Sequence, residues 1–251
     1  MKHWVRAVAA VLIVPMVLAG CLFTPGKFVS TLTINKDRSF TYTYKGEVIA
    51  LDPDSASGMG PGSGDMAMEN SVIYSDETGN AIEPAEDYSA EQAKTNAEKQ
   101  AKRDAQFREL AVQLAKEPGY NSVEYLGSNK FRVDYSISGM LTHNFVYPFN
   151  QDAAMVFPWL AIELRGKETV RVKAPGFAKQ DMSGMGMAGA GGGSGLDSTA
   201  DGTFTLTTDA EIVSQNNEDG ATKTGTKSVI TWRVTPLSKD APSAVLRLAP
   251  R

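Results

Sequence analysis

The side chains best placed to do chemistry are methionines. The chain has ten, and six of them, Met59, Met66, Met68, Met182, Met185 and Met187, fall in two glycine-rich stretches, "SGMGPGSGDMAM" at 57–68 and "DMSGMGMAGAGGGSG" at 181–195. Thioethers are soft ligands that select Cu(I), and the spacing in "MSGMGM" would let one loop wrap an ion. Against that, glycine is costly to order, and neither stretch carries a histidine. Methionine is also flexible and polarizable, which suits adaptable apolar contacts with a partner or a bilayer. The plainest reading is a pair of Gly/Ser/Met linkers without a fold of their own. No metal is assigned on this evidence, and the six methionines stand as the Cu(I) candidates.

Groups for catalysis are scarce. The histidines are His3 and His143, the latter in "LTHNF". A serine nucleophile would have to use His143 as its base, and no G-x-S-x-G elbow is present to hold it. Zinc sites usually draw on several His or Cys ligands, and the chain has one cysteine. The 29 acidic residues could include the carboxylate pair a glycosidase needs, but no pair stands out. Glu91, Glu98 and Glu109 read as the solvated face of a helix. Asp197, Asp201, Asn216, Asn217, Glu218 and Asp219 offer hard oxygens for calcium, yet "NNEDG" lacks EF-hand spacing, and turn chemistry accounts for it. The expectation is a protein that is not an enzyme and has no cofactor, with a hydrolase as a lower alternative.

The N-terminus is more specific. "MKHWVRAVAAVLIVPMVLAGC" places Lys2 and Arg6 before an apolar run from Ala7 to Val17, the layout of a secretory signal. The run is shorter than the roughly 20 apolar residues that span a bilayer. It ends in Leu18-Ala19-Gly20-Cys21, which looks like a bacterial lipobox. Residues 1–20 then read as a signal peptide cleaved between Gly20 and Cys21, and Cys21 as the lipidated residue. More than one acyl chain gives stable anchoring. Leu22, in place of an aspartate, favours the outer membrane, periplasm-facing, in a Gram-negative host. From residue 21 on the chain keeps 23 basic and 29 acidic residues, a formal charge of −6. An acidic chain without a basic cluster argues against nucleic acid and against a polybasic grip on anionic lipid.

Residues 21–251 read as one domain with flexible inserts at about 52–70 and 181–202. Period-2 alternation marks a hairpin in "KFVSTLTINKDRSFTYTYKGEVIAL", with threonines on the opposite face. A helix is predicted over about 89–116, capped by Ser89 and Gln92 and stopped at Pro118-Gly119. Phe107, Leu110, Ala111 and Leu114 give its second half an apolar stripe. Its first half offers only alanines, which predicts an exposed or loosely packed start. Further strands follow in "NSVEYLG", in "NKFRVDYSISG", on either side of Arg165–Lys167, and over 203–213, 228–235 and 243–249. The fold class is α+β, mainly antiparallel, with about ten strands and one long helix. The expected picture is a curved sheet with the helix on one face.

An N-terminal cysteine running into a β-hairpin, with a tryptophan-bearing strand "SVITWRV" near the C-terminus, resembles the LppM-type bacterial lipoprotein domain. The long helix and both Met/Gly inserts depart from that pattern. The resemblance implies an envelope lipoprotein whose β-rich domain contacts lipid, and it supplies no catalytic residue. Taken together, the sequence predicts a lipid-anchored envelope protein held to the membrane through acylated Cys21. It would act as an interaction or scaffold module, with an envelope protein or a lipid as partner. The alternative is a carrier or sensor of a lipid or other apolar ligand, lodged between the sheet and the first half of the helix.

Overall fold

The computed structural model describes residues 23–50, 86–148, 158–179 and 198–250, with the helix side chains described from Lys94 onward. Residues 1–20, read from the sequence as a signal peptide, Cys21 and all six insert methionines lie outside the described residues.

Twelve strands, one α-helix and a short 3-10 helix at Pro175–Phe177 are found among the described residues. The first sheet is built on the hairpin β1 (Phe23–Ile34) and β2 (Ser39–Ala50). The polar turn between them places Arg38 at φ 75°. After α1 (Glu86–Leu114) come β3 (Tyr120–Gly127) and β4 (Lys130–Met140). Their turn holds Gly127, Ser128 and Asn129 at positive φ, which Gly and Asn adopt at little cost. Next are β5 (Phe145–Tyr147), β6 (Leu160–Arg165) and β7 (Thr169–Lys173). The C-terminal block supplies β8 (Asp201–Thr208), β9 (Glu211–Gln215), β10 (Thr222–Thr224), β11 (Lys227–Val234) and β12 (Ser243–Arg247).

These strands form two sheets, a seven-stranded one in the order β10-β11-β8-β1-β2-β4-β3 and a five-stranded one in the order β5-β6-β7-β12-β9. Pairing is antiparallel except at the centre of the larger sheet, where β8 runs parallel to β1 from Lys27↔Asp201 to Ile34↔Thr208. Alternation decides which residues go inside. Leu32, Ile34, Tyr42, Tyr44, Phe204, Leu206 and Ile230 are fully buried, and so are Leu160, Ile162, Val170, Val172 and Leu246 of the smaller sheet. An aromatic chain joins the layers. Tyr42 and Tyr44 meet Tyr147 at ring separations of 5.1 and 5.9 Å, and Phe28 stacks on Phe177 at 4.3 Å. Such pairs add stabilisation beyond the area they bury. At one end of the sandwich the Arg38 guanidinium donates to the Lys167 carbonyl, and Ala249 N–H donates to Lys36 O at 3.0 Å.

The α+β class holds. The picture of a single curved sheet covered by the helix needs correction. A helix is about 10 Å across, too narrow to cover seven strands spaced at about 4.8 Å. The five-stranded sheet covers most of the inner face, and α1 covers only the β3–β4 side. The reading of 203–213 as one strand also fails. The chain leaves the larger sheet at Thr208 and enters the smaller one at Glu211. Asp209 Oδ1 accepts from Lys36 N–H at 2.6 Å at that corner.

The helix starts at Glu86, so Ser89 lies inside it and is not its N-cap. Its second half docks as the apolar stripe requires. Phe107, Leu110 and Ala111 are buried, and the Phe107 ring meets Tyr125 at 5.5 Å and Phe131 at 5.4 Å. Residues 94–102 are exposed throughout.

Candidate functional site

The groups singled out for catalysis or metal do not converge. His143 is exposed, in a bend before β5, with Nδ1 3.0 Å from Thr142 Oγ1. Glu98 and Glu109 are solvated, as expected. Asp201 pairs with Arg233 at 3.3 Å. Asn216 Oδ1 accepts from Trp232 Nε1 at 3.1 Å and from Ser243 N–H at 2.9 Å, so this asparagine ties the two sheets together. Glu218 and Asp219 sit in the turn that follows, closed by Gly220 N–H donating to Asn217 O at 3.2 Å. Among the described residues, no three His, Cys, Asp or Glu side chains gather as a metal site.

What does converge is a set of chain ends. Phe23 opens β1 two residues after Cys21 and pairs with Ala50, the last described residue ahead of the first insert. The alternating stretch "KFVSTLTINKDRSFTYTYKGEVIAL" begins only at Lys27, so the strand starts earlier than the sequence pattern marks. The stretch Phe23–Pro25 is drawn into the sheet by pairing with Val48–Ala50.

The second insert returns to the same place. Thr199 Oγ1 donates to Pro25 O at 2.8 Å and lies 2.9 Å from Thr24 Oγ1. Ala200 is fully buried and Asp201 already pairs with Lys27. The insert therefore ends before 198, short of the expected 202, because parallel pairing with β1 captures the residues beyond it. It departs beside the same region. Phe177 stacks on Phe28, and Lys179 N–H donates to Ser238 O at 2.8 Å.

The segment between β5 and β6 also leaves from here. Trp159 Nε1 donates to Phe23 O at 3.2 Å, and Trp159 N–H donates to Tyr147 O at 2.7 Å. Ala50 N–H donates to Asn129 O at 2.8 Å, which brings in the β3–β4 turn. Two apolar side chains are exposed at this end, Leu237 at 87% and Leu126 at 37%.

The helix points the same way. A short turn joins it to β3, and the two elements still touch at Asp104 and Tyr125, so they run antiparallel. The Tyr125 hydroxyl donates to Asp104 Oδ1 at 2.6 Å, and Gln100 Nε2 donates to the same oxygen at 2.9 Å. These bonds hold the Asp104 carboxyl below its ordinary pKa, the tyrosine contributing most. A helix advances about 1.5 Å per residue. β3 ends at Gly127, two residues beyond Tyr125, about 7 Å of strand, so the exposed stretch 94–102 runs toward the end where Phe23 lies and its first residues extend past the strand. No sequence signal marked this gathering. It depends on the register Phe23↔Ala50 and on the parallel β1–β8 pair, both long-range.

No protein-family model matches the sequence, and no curated protein matches it. Among solved structures, the chain is similar to the folded domain of the LppM protein of Mycobacterium tuberculosis, determined by NMR. Identity is 17%, the match covers 91% of this chain and 94% of that chain, and the TM-score is 0.32. Among the described residues, no helix is long and apolar enough to cross a membrane.

Proposed function

We propose that this protein is a lipid-anchored, non-catalytic interaction module of the bacterial envelope, and that the end built around Phe23 is its working end. One observation carries the reading. The start of β1, the described ends of both Met/Gly inserts, the exposed Leu237 and the exposed helical stretch 94–102 all lie at one end of the sandwich. Cys21, lipidated in this reading, is separated from β1 by Leu22 alone. The anchor then holds that end against the bilayer, on a leash too short to let the domain turn over. In this reading the six insert methionines serve contact with the bilayer surface or a membrane partner, for which their adaptable side chains are suited. The helical arm 94–102 is the polar element that a protein partner would grip.

Environment-sensitive labels test the orientation. Leu237→Cys lies at the working end, and Met140→Cys, 53% exposed, lies beyond the turn end of the hairpin, where Met140 pairs with Ser39. A fluorophore at position 237, in protein reconstituted into vesicles, is expected to be quenched by brominated lipid, while one at 140 stays bright. Equal quenching at both positions would rule the orientation out. Retention of Cys21→Ala in the membrane fraction, still acylated, would remove the anchor itself.

A further inference from the structure

The outer face of the five-stranded sheet carries a feature that the anchor end does not explain. A cavity of about 460 Å³ opens there, within the size range of small-ligand sites. Its floor is β7 and β12, and its walls are the end of β6 and the segment 214–216. Arg171 stands at the centre, directly opposite Glu163 on one side and Val245 on the other.

The charge balance here runs against the rest of the molecule. The whole chain has a formal net charge of −4, yet Arg165, Arg171 and Lys173 cluster around one carboxylate, Glu163. That carboxylate is engaged. Its Oε2 accepts from Arg165 Nε at 3.0 Å and from Arg165 Nη2 at 2.5 Å. Arg165, Arg171 and Lys173 together keep the Glu163 carboxyl below its ordinary pKa, the Arg165 hydrogen bonds leading. The neighbouring Arg247 is already paired with Glu211 at 2.9 Å. Arg171 is left without a salt bridge or a side-chain hydrogen bond among the described residues. Around it the hydroxyls of Thr169, Ser214 and Ser243 line the same cavity and are likewise unbonded. The wall is held in place, because Asn216 is fixed on three sides, its Nδ2 donating to Ala241 O at 2.8 Å in addition to the two bonds its Oδ1 accepts.

We infer that this cleft binds a phosphate monoester through Arg171, with Arg165 and the three hydroxyls completing the donor set. The excess of cations matches a group with a charge near −2 at neutral pH. Donors on four strands, β6, β7, β9 and β12, suit the several terminal oxygens of phosphate better than the two of a planar carboxylate, and arginine grips such oxygens in pairs. The cleft lies on a sheet face away from the anchor end, so a soluble phosphate ester is the expected source.

Calorimetric titration of the full chain in detergent micelles tests this with inorganic phosphate, glycerol 3-phosphate and acetate as probes. Saturable binding of both phosphates, with acetate weaker, is expected. Arg171→Gln should weaken phosphate binding about tenfold to a hundredfold, the worth of hydrogen bonds to a charged group. Glu163→Gln should tighten it severalfold, since the competing carboxylate is gone. Arg132→Gln, on the other sheet, should leave it unchanged. Vesicles containing phosphatidic acid separate the sources. Arg171-dependent binding to them without binding of the soluble probes supports the phosphate chemistry and assigns it to a lipid headgroup. Absence of binding to all phosphate probes, wild-type affinity in Arg171→Gln, or acetate bound as tightly as phosphate would each overturn the inference.

Discussion

Tyr125 and Asp104 show how much one contact between elements can do in this protein. The tyrosine closes the helix onto the sheet edge, with its ring on Phe107 and its hydroxyl on the Asp104 carboxylate. Because the folded Asp104 titrates below its unfolded value, its contribution to stability is present above about pH 4, the unfolded pKa. It is lost as the pH falls through the lower folded value. Tyr125→Phe should therefore raise the Asp104 pKa toward the ordinary carboxylate value in an NMR titration. Its stability deficit should shrink as the solution is acidified. A second single-atom constraint sits at Gly202. A Cβ there would meet Phe28 O at 2.0 Å, inside the parallel β1–β8 seam. Gly202→Ala should cost about 3 kcal/mol in urea unfolding, the upper range for overpacking a tight site, or prevent folding.

At the scale of elements, the helix is two segments under one sequence pattern. Phe107 is 3% exposed and fills the angle between β3 and β4. Phe107→Ala should cost about 3–5 kcal/mol, as large aromatic truncations in a core do. Lys99→Ala, on the exposed arm, should change stability by less than about 0.5 kcal/mol. The two halves of the helix were legible in advance because leucine and phenylalanine occupy the docking stripe of one and alanine that of the other. The start of the helix was misread for a local reason. Ser89 and Gln92 satisfy the capping pattern, but Glu86, Asp87 and Tyr88 are also able to take helical backbone, and nothing local forces a stop there.

At the scale of the whole molecule, the two sheets share one core, and the exposed helical stretch 94–102 contributes nothing to it. Amide hydrogen exchange should follow this division. Slowest exchange is expected in β1 and β8, at the centre of the larger sheet, and fastest helical exchange over 94–102. Uniform protection along the helix would mean that the arm packs against something in solution. The same layout makes the molecule directional. One end is closed by the hairpin turn, the Arg38–Lys167 contact and the Asp209 corner. The other receives the start of β1 and the described ends of the inserts. The Arg171 cleft lies between them, on the outside of the smaller sheet, so a contact made at the Phe23 end and a ligand in the cleft would not compete for the same surface.

Local pattern by itself determined the α+β class, the hairpin at the start, the turns at 127–129 and 165–167, the docking stripe of the helix, and the Met/Gly composition of the inserts. Each is a property of a short window, where period-2 or period-3.6 alternation and turn-forming residues act within a few positions. Tertiary structure alone decided the rest. Alternation tells which face of a strand is buried but not which sheet the strand joins, so 203–213 looked continuous although its halves belong to different layers. Nor does it show that Thr199 bonds to Thr24 across 175 positions of sequence, or that Arg171, Ser214 and Ser243 line one cleft. Those meetings are set by register and by the parallel β1–β8 pair, where the energetic reward comes from surfaces far apart in the chain.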